Sequence, residues 1–245
     1  MRYLILSDIH ANLEALEAVI AAAAGAAPDG TLVLGDVVGY GADPNAVIDR
    51  LLTLPTATFI RGNHDKVAAG IDSVTSFNHL ARQAIEWTAA VLSPDRRAWL
   101  TALPAGPLVV DDVVEICHGA PFDEDVYIFD DLDARHALDV TTRPLCLFGH
   151  THQPAIFRLE RDFEVIPVGR EAMLDLTLGT ARFLVNCGAV GQPRDGDPRA
   201  AFGLLDTRLR LLSLRRVPYD VATAQEKILA AGLPEVLAQR LAVGR

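Results

Sequence analysis

The chain has 245 residues, 50% of them hydrophobic and 22% charged, enough apolar material for a sizeable core. Its 22 basic against 32 acidic residues leave a formal charge of −10. That balance argues against a protein that grips long nucleic acid through a basic footprint, while leaving room for a small phosphorylated substrate in a local pocket.

Short apolar runs first alternate with helical patterns. Residues 3–6 read as a buried strand, and residues 11–24 as a helix with Asn12 as its cap and Gly25 as its stop. Residues 32–34 form the next strand, residues 45–54 a helix with Pro44 near its start, and residues 58–60 a third strand. This β-α-β-α-β opening implies a largely parallel sheet covered by helices. Residues 77–92 and 94–103 read as two further helices, the second capped by Ser93-Pro94. Along the first, Phe77, Leu80, Ala84, Trp87 and Val91 recur at helical spacing, as the buried face of a helix would; the competing reading is a cap that narrows a site.

Strands then dominate, at residues 108–110, 113–117, 145–148, 155–159, 163–168, 182–185, 202–205 and 209–217. Residues 222–243 read as two short helices broken near Gly232. The simplest parse is one domain over residues 1–245 with a helical insertion at about residues 66–106. Cys117, Cys146 and Cys187 are too widely spaced for a zinc knuckle or a disulfide framework; the first two fall in apolar runs and read as buried small hydrophobes. The longest apolar tract, residues 15–24, contains Glu17 and is too short to span a bilayer. The opening MRYLILSDIH is too short in apolar residues for a signal peptide, so a cytoplasmic protein is expected.

Polar residues gather where strands end. Ser7-Asp8-Ile9-His10 follows the first strand, Gly35-Asp36 the second, and Arg61-Gly62-Asn63-His64-Asp65 the third. His118-Gly119 and Gly149-His150-Thr151-His152 follow two later ones. Alone, an Asp after a strand is a helix cap or turn former, and a single His is a satisfied polar residue. Five strand ends that all carry N/O donors point instead to a shared metal site, since parallel sheets bind ligands beyond their carboxyl ends. Carboxylates, imidazoles and one carboxamide without thiolate suit Mn, Fe, Zn, Co or Ni. Seven donors suit two ions sharing a bridge, the arrangement that clamps both oxygens of an in-line displacement.

In this order the residues resemble the calcineurin-like metallophosphoesterase superfamily, whose pattern is D-x-H, G-D, G-N-H-[DE], H and G-H-x-H. Asp8-Ile9-His10, Gly35-Asp36, Gly62-Asn63-His64-Asp65, His118 and Gly149-His150-Thr151-His152 supply every element. The resemblance implies a four-layer α/β/β/α sandwich of two mixed sheets, which the strand pattern alone does not select. It implies that Asp8, His10, Asp36 and His152 hold one divalent transition metal, manganese first among the choices. Asp36 would bridge to a second held with Asn63, His118 and His150. A bridging hydroxide would be the nucleophile, and His64 the general acid or a stabiliser of the phosphoryl group. Asp65 has the simpler role of a cap. If residues 150–152 are extended, side chains two apart point the same way, about 6.5 Å apart, so His150 and His152 would each reach one ion.

Gly39 and Tyr40 stand where the serine/threonine phosphatases of this family carry the Asp and Arg of G-D-x-V-D-R-G, which counts against phosphoprotein phosphatase activity. The strings GDVVGYGADPN and NCGAVGQPRDGDPRAAFGLLD resemble instead a prokaryotic subgroup of small phosphoesterases related to the phosphodiesterase branch. Residues 188–196 are turn-rich and read either as a surface loop or as a loop returning to the site mouth, where Arg194 would grip phosphate and Tyr40 line the entrance. The expected activity is hydrolysis of a small phosphodiester or phosphomonoester, nucleotide-like esters being reasonable candidates. The competing readings are a protein-interaction module on a phosphoesterase fold, whose mark would be lost ligands, and a nuclease on short single-stranded ends.

Overall fold

The computed structural model describes residues 1–169, 171–177 and 180–245. From the N-terminus it runs β1 (Arg2–Leu6), α1 (Leu13–Ala23), β2 (Gly30–Val33), α2 (Pro44–Leu52) and β3 (Ala57–Phe59). The helices α3 (Asn63–Ala69), α4 (His79–Val91) and α5 (Pro94–Thr101) precede β4 (Leu108–Val109), β5 (Val114–Ile116) and α6 (Asp131–Val140). Then come β6 (Leu145–Phe148), β7 (Ala155–Leu159), β8 (Phe163–Ile166), β9 (Ala172–Asp175), β10 (Arg182–Asn186), β11 (Ala200–Asp206) and β12 (Leu211–Val217). The helices α7 (Val221–Ala230) and α8 (Glu235–Leu241) close the chain.

Among the described residues the strands form two six-stranded mixed sheets, ordered β3-β2-β1-β11-β12-β9 and β4-β5-β6-β10-β7-β8. β1, β2 and β3 are parallel neighbours, as are β5, β6 and β10, and the remaining pairs are antiparallel. Alternation along the strands explains the layering. In β1, Tyr3 and Ile5 face the second sheet and pack with Leu145, Leu147, Phe183 and Val185, while Leu4 and Leu6 face α1 and α2 through Leu16, Val19, Val47 and Ile48. In β6, Leu145 and Leu147 point between the sheets, whereas Cys146 and Phe148 point to Ala134, Ala137 and Leu138 of α6. Strands covered on both faces are largely apolar, which is why β1 and β6 read as hydrophobic runs. The result is the expected α/β/β/α sandwich.

Local chemistry sets the boundaries. Asn12 caps α1 by accepting the Ala15 N–H at 3.1 Å. The helix passes through a short 3-10 turn, Ala24–Ala26, and the left-handed stop falls on Ala27 (φ 44°) rather than on Gly25. Three elements lie outside the sequence expectation, the short α3 directly after β3 and two others. α6 starts at a reciprocal cap, Asp130 accepting from Leu132 and Asp133 while Asp133 accepts from Asp130, a signal masked by the acidity of the segment. β9 is an edge strand on β12 that buries only Leu174, so it lacks an apolar run. α4 buries Ala81, Ala84, Ile85 and Thr88, and Val91 is exposed, so its inner face is rotated from the expected stripe. Its start at Asn78 leaves Phe77 in the preceding turn, facing the cleft described next. All three cysteines are free and buried, with Cys117 and Cys146 Sγ atoms 3.6 Å apart. No helix among the described residues is long and apolar enough to cross a membrane.

Candidate metal centre

The loops after β1, β2, β3, β5 and β6 converge at one end of the sandwich. They bring two sets of donors together, Asp8, His10, Asp36 and His152 in one and Asp36, His118 and His150 in the other. The ligand atoms of each set lie within 4.8 Å of one another, so each set could hold a metal ion. Asp36 belongs to both. Its Oδ1 accepts the His64 N–H at 2.9 Å, and its Oδ2 lies 3.5 Å from His10 Nε2 and 3.4 Å from His118 Nε2. Asn63 joins the second set, its Oδ1 3.2 Å from His118 Nε2. Asp8 approaches His152 Nε2 at 3.4 Å and accepts from Ser7 Oγ and from the His150 N–H.

The backbone is bent to make this possible. Asp8 (φ 53°), His10 (48°), Asp36 (51°), Tyr40 (61°), His150 (66°) and His152 (59°) all adopt left-handed conformations, which cost a non-glycine residue free energy and persist only where the surroundings hold them. His150 and His152 are therefore separated by two left-handed turns rather than by an extended segment, and each still faces a different donor set. Asn186 braces that loop, its amide donating to Gly149 O at 2.8 Å and Thr151 Oγ1 at 3.0 Å. Gly149 is needed because a Cβ there would sit 2.0 Å from Ser7 Oγ.

Hydrogen bonds to backbone carbonyls fix the imidazole tautomers, because a carbonyl only accepts. His10 Nδ1–H donates to Val38 O at 3.1 Å, and His152 Nδ1–H to Gln192 O at 2.6 Å. Their Nε2 lone pairs then face each other at 3.1 Å with no proton between them. Likewise His118 Nδ1–H donates to Leu34 O at 2.8 Å, leaving Nε2 toward Asp36 and Asn63. His150 uses the opposite nitrogen, Nε2–H donating to Asp125 O at 3.2 Å and freeing Nδ1. Converging lone pairs and carboxylate oxygens, with the outer nitrogens tied to carbonyls, are what a metal site requires.

The electrostatics agree. Burial drives His150 down to about 3 and His10 and His152 well below the usual imidazole range, keeping their lone pairs free. Burial also pushes Asp8 up to about 6, against the pull of His118. Burial opposes ionisation of Asp36 too, but the neighbouring His118 and His64 hold it well below the carboxylate range. For His118 the opposing effects of burial and Asp36 resolve in favour of the proton, raising it to about 10. The centre draws positive charge onto whichever group can carry it.

His64 holds no position in either donor set. Burial lowers it to about 4, against Asp36, and its Nδ1 is buried without a partner. Gly39 explains the missing partner: a Cβ there would stand 2.4 Å from His64 Nδ1, so an Asp at this position has no room. Asp65 does cap α3, accepting from Gly62 N–H at 3.0 Å, but it also accepts from Val38 N–H at 3.1 Å and so ties the second loop to the third. His64 borders a cleft of about 300 Å³ with Tyr40, Asn63, Lys66, Phe77, Tyr127 and His150 among its walls. Tyr40 packs against His10 and His64 at 4.8 and 4.5 Å between ring centres. Arg194 lies over the Tyr40 ring at 5.7 Å, so the 188–196 loop does return to the site mouth.

Several contributors escaped the sequence reading. Tyr127 stacks on His150 at 3.7 Å, and Lys66 Nζ bonds Asp125 Oδ2 at 2.5 Å, pinning the carbonyl that orients His150. Gln192 orients His152. None follows a strand directly, so the rule of strand ends could not find them; only the turn-rich string around Gln192 gave a signal.

Residues 1–209 match the family model described as a calcineurin-like phosphoesterase superfamily domain. The chain belongs to that superfamily. The uncharacterized protein MJ0912 of Methanocaldococcus jannaschii is 32% identical over 249 residues, spanning 98% of this chain and 97% of that one. The crystal structure of a metallophosphoesterase from Sphaerobacter thermophilus superposes with a TM-score of 0.87 at 36% identity, covering 100% of this chain and 99% of the other. The hypothetical protein PH1004 of Pyrococcus horikoshii OT3 shares the fold, with a TM-score of 0.81 at 20% identity over 100% and 98% of the two chains. In this calcineurin-like phosphoesterase, the residues that could hold metal ions lie just beyond the ends of the strands.

Proposed function

We propose that this calcineurin-like phosphoesterase is a dinuclear-metal hydrolase acting on a small phosphodiester or phosphomonoester. The facing Nε2 lone pairs of His10 and His152, together with the shared carboxylate of Asp36, support this reading most strongly. Asp8, His10, Asp36 and His152 would hold one ion, and Asp36, Asn63, His118 and His150 the other. Bound there, divalent ions, manganese by preference, would lower the pKa of water and polarise the phosphoryl oxygens.

The chain's own groups supply the rest. Arg194, over the Tyr40 ring, would grip a phosphoryl oxygen through two N–H donors. His64 lines the cleft on which a leaving group would lie and is the candidate to protonate its oxygen. Neutral at rest through burial, it gains proton affinity when a phosphate's negative charge settles beside it. Phe77, Tyr40 and Tyr127 offer aromatic walls that suit a nucleoside or aryl leaving group and exclude water. The intact donor set favours this reading over an interaction module, and the acidic charge favours it over a nuclease of long chains. A cytoplasmic enzyme with a small phosphorylated substrate is the whole of the proposal.

The test is turnover of bis(p-nitrophenyl) phosphate and p-nitrophenyl phosphate by metal-free protein titrated with manganese. Activity should rise and saturate near two ions per chain, and the ratio of the two rates places the enzyme between diesterase and monoesterase. Protein that binds no metal, or that binds it and turns over neither ester with Mn, Ni, Co or Zn, would sink the proposal.

A further inference from the structure

α8 lies beyond the family-matched segment, which ends at residue 209, yet it brings a charge to Tyr40 and Gln192 beside the candidate metal centre. Arg240, in its last turn, holds its guanidinium 5.9 Å from the centre of the Tyr40 ring, and Arg194 approaches the same ring at 5.7 Å. Both reach one acceptor: Arg194 Nη2 donates to Gln192 Oε1 at 3.0 Å and Arg240 Nη1 at 3.5 Å. The backbone carbonyl of that same Gln192 orients His152. Among the described residues no carboxylate comes within 4.0 Å of either guanidinium, whereas Arg61, Arg158, Arg199 and Arg216 are each paired. Arg194 Nε is buried with no partner at all.

Two half-buried cations that share one neutral oxygen repel each other, and the arrangement is costly unless an anion joins it. Burial and the charge of Arg194 together lower the pKa of Arg240, the sign of an unmet need for negative charge. The two are not equivalent. Arg194 lies nearer the candidate metal centre, its backbone N–H donating to His152 O at 3.3 Å, while Arg240 reaches Gln192 and Tyr40 from α8.

Resting on the hydrolytic reading above, we propose that Arg240 and Arg194 form a second anion subsite beside the metal centre. The substrate is therefore a phosphate ester that carries a second phosphate close to the scissile one. Arg194 spans the two groups, and Arg240 reads the outer phosphate. The C-terminal helix is thus a specificity element for the site.

Thymidine 5′-(p-nitrophenyl phosphate), with and without a 3′-phosphate, isolates the second anion. The manganese-loaded enzyme should prefer the doubly phosphorylated ester by about tenfold or more in kcat/KM, the scale of a charge-assisted bidentate contact. Arg240→Gln should bring that ratio close to one, Arg240→Lys should keep part of it, and Arg215→Gln, an exposed charge control, should keep all of it. A wild-type ratio near one, or a ratio that survives Arg240→Gln, overturns the subsite. If neither ester is turned over, the hydrolytic reading fails by itself, and calorimetry decides the subsite. Thymidine 3′,5′-bisphosphate should then bind about tenfold tighter than thymidine 5′-monophosphate to wild type but not to Arg240→Gln. Equal affinities for wild type would overturn it.

Discussion

Replacing Gly39 by alanine tests whether the position of His64 matters. The added Cβ would stand 2.4 Å from His64 Nδ1 and 3.1 Å from its Cγ, where ordinary contact begins at 3.4 Å. The imidazole must therefore retreat by about 1 Å, a misplacement that costs a reacting group about 100-fold. Gly39 also has φ 93°, which adds roughly 1–2 kcal/mol of backbone strain for an L-residue. With about 1–3 kcal/mol for the overlap, the variant should lose about 2–5 kcal/mol of stability. Gly232→Ala separates the two contributions, because Gly232 has φ 72° and nothing within 4 Å of the added Cβ. It should lose only the strain and keep its turnover. The assays are ester hydrolysis at saturating manganese, metal content and thermal unfolding, in which each kcal/mol shifts Tm by about 2–4 °C for a chain of this size. Gly39→Ala should retain its metal while losing about 100-fold in kcat. Full turnover in that variant, with a stability loss no larger than that of Gly232→Ala, would remove His64 from the mechanism.

Other variants probe separate parts of the account. His64→Ala should leave both ions bound and lower kcat steeply, and metal lost on dialysis would show that His64 is a ligand instead. Asp36→Asn should weaken both ions together, seen as two raised dissociation constants in calorimetry; a variant that keeps one tight ion speaks against a shared carboxylate. Phe148→Ala, beneath α6 and fully buried, should cost about 3–5 kcal/mol in denaturant unfolding, and a loss under 1 kcal/mol would mean the outer core is mispacked. Asp197 is held down at about 2 by Arg199, against partial burial, so its stabilisation is present above about pH 4 and is lost as pH falls toward 2. Comparing wild type with Asp197→Asn by thermal unfolding across that window should show a difference of up to about 1 kcal/mol that closes at low pH, since solvent screens this pair. A difference constant with pH would assign the effect to packing.

The donors were legible because the chemistry is local in sequence. Each lies within four residues of a strand end, and apolar strands are easy to see when both faces are buried. The same property hid the sandwich. An unbroken run such as Leu145–Phe148 does not say that Leu145 meets another sheet while Cys146 meets a helix. The left-handed backbone at His150 and His152 was equally hidden, since neither residue type demands it; the fold imposes it through Asp8 and Asn186. Groups that orient the donors, such as Asp125 and Gln192, act through backbone carbonyls, which any residue possesses. Arg240 was invisible for another reason: it lies 88 residues beyond His152 and reaches the site only because α8 shares a buried apolar cluster with α7, α4 and Tyr40.

The central claim is that two ions share Asp36. Electron paramagnetic resonance of metal-free protein loaded with two equivalents of manganese tests it most directly. Ions bridged by one carboxylate, about 3.5–4 Å apart, should give a broad, exchange-coupled spectrum whose six-line component is minor. Two equivalents bound as isolated six-line manganese, with no coupled signal, would contradict the dinuclear centre.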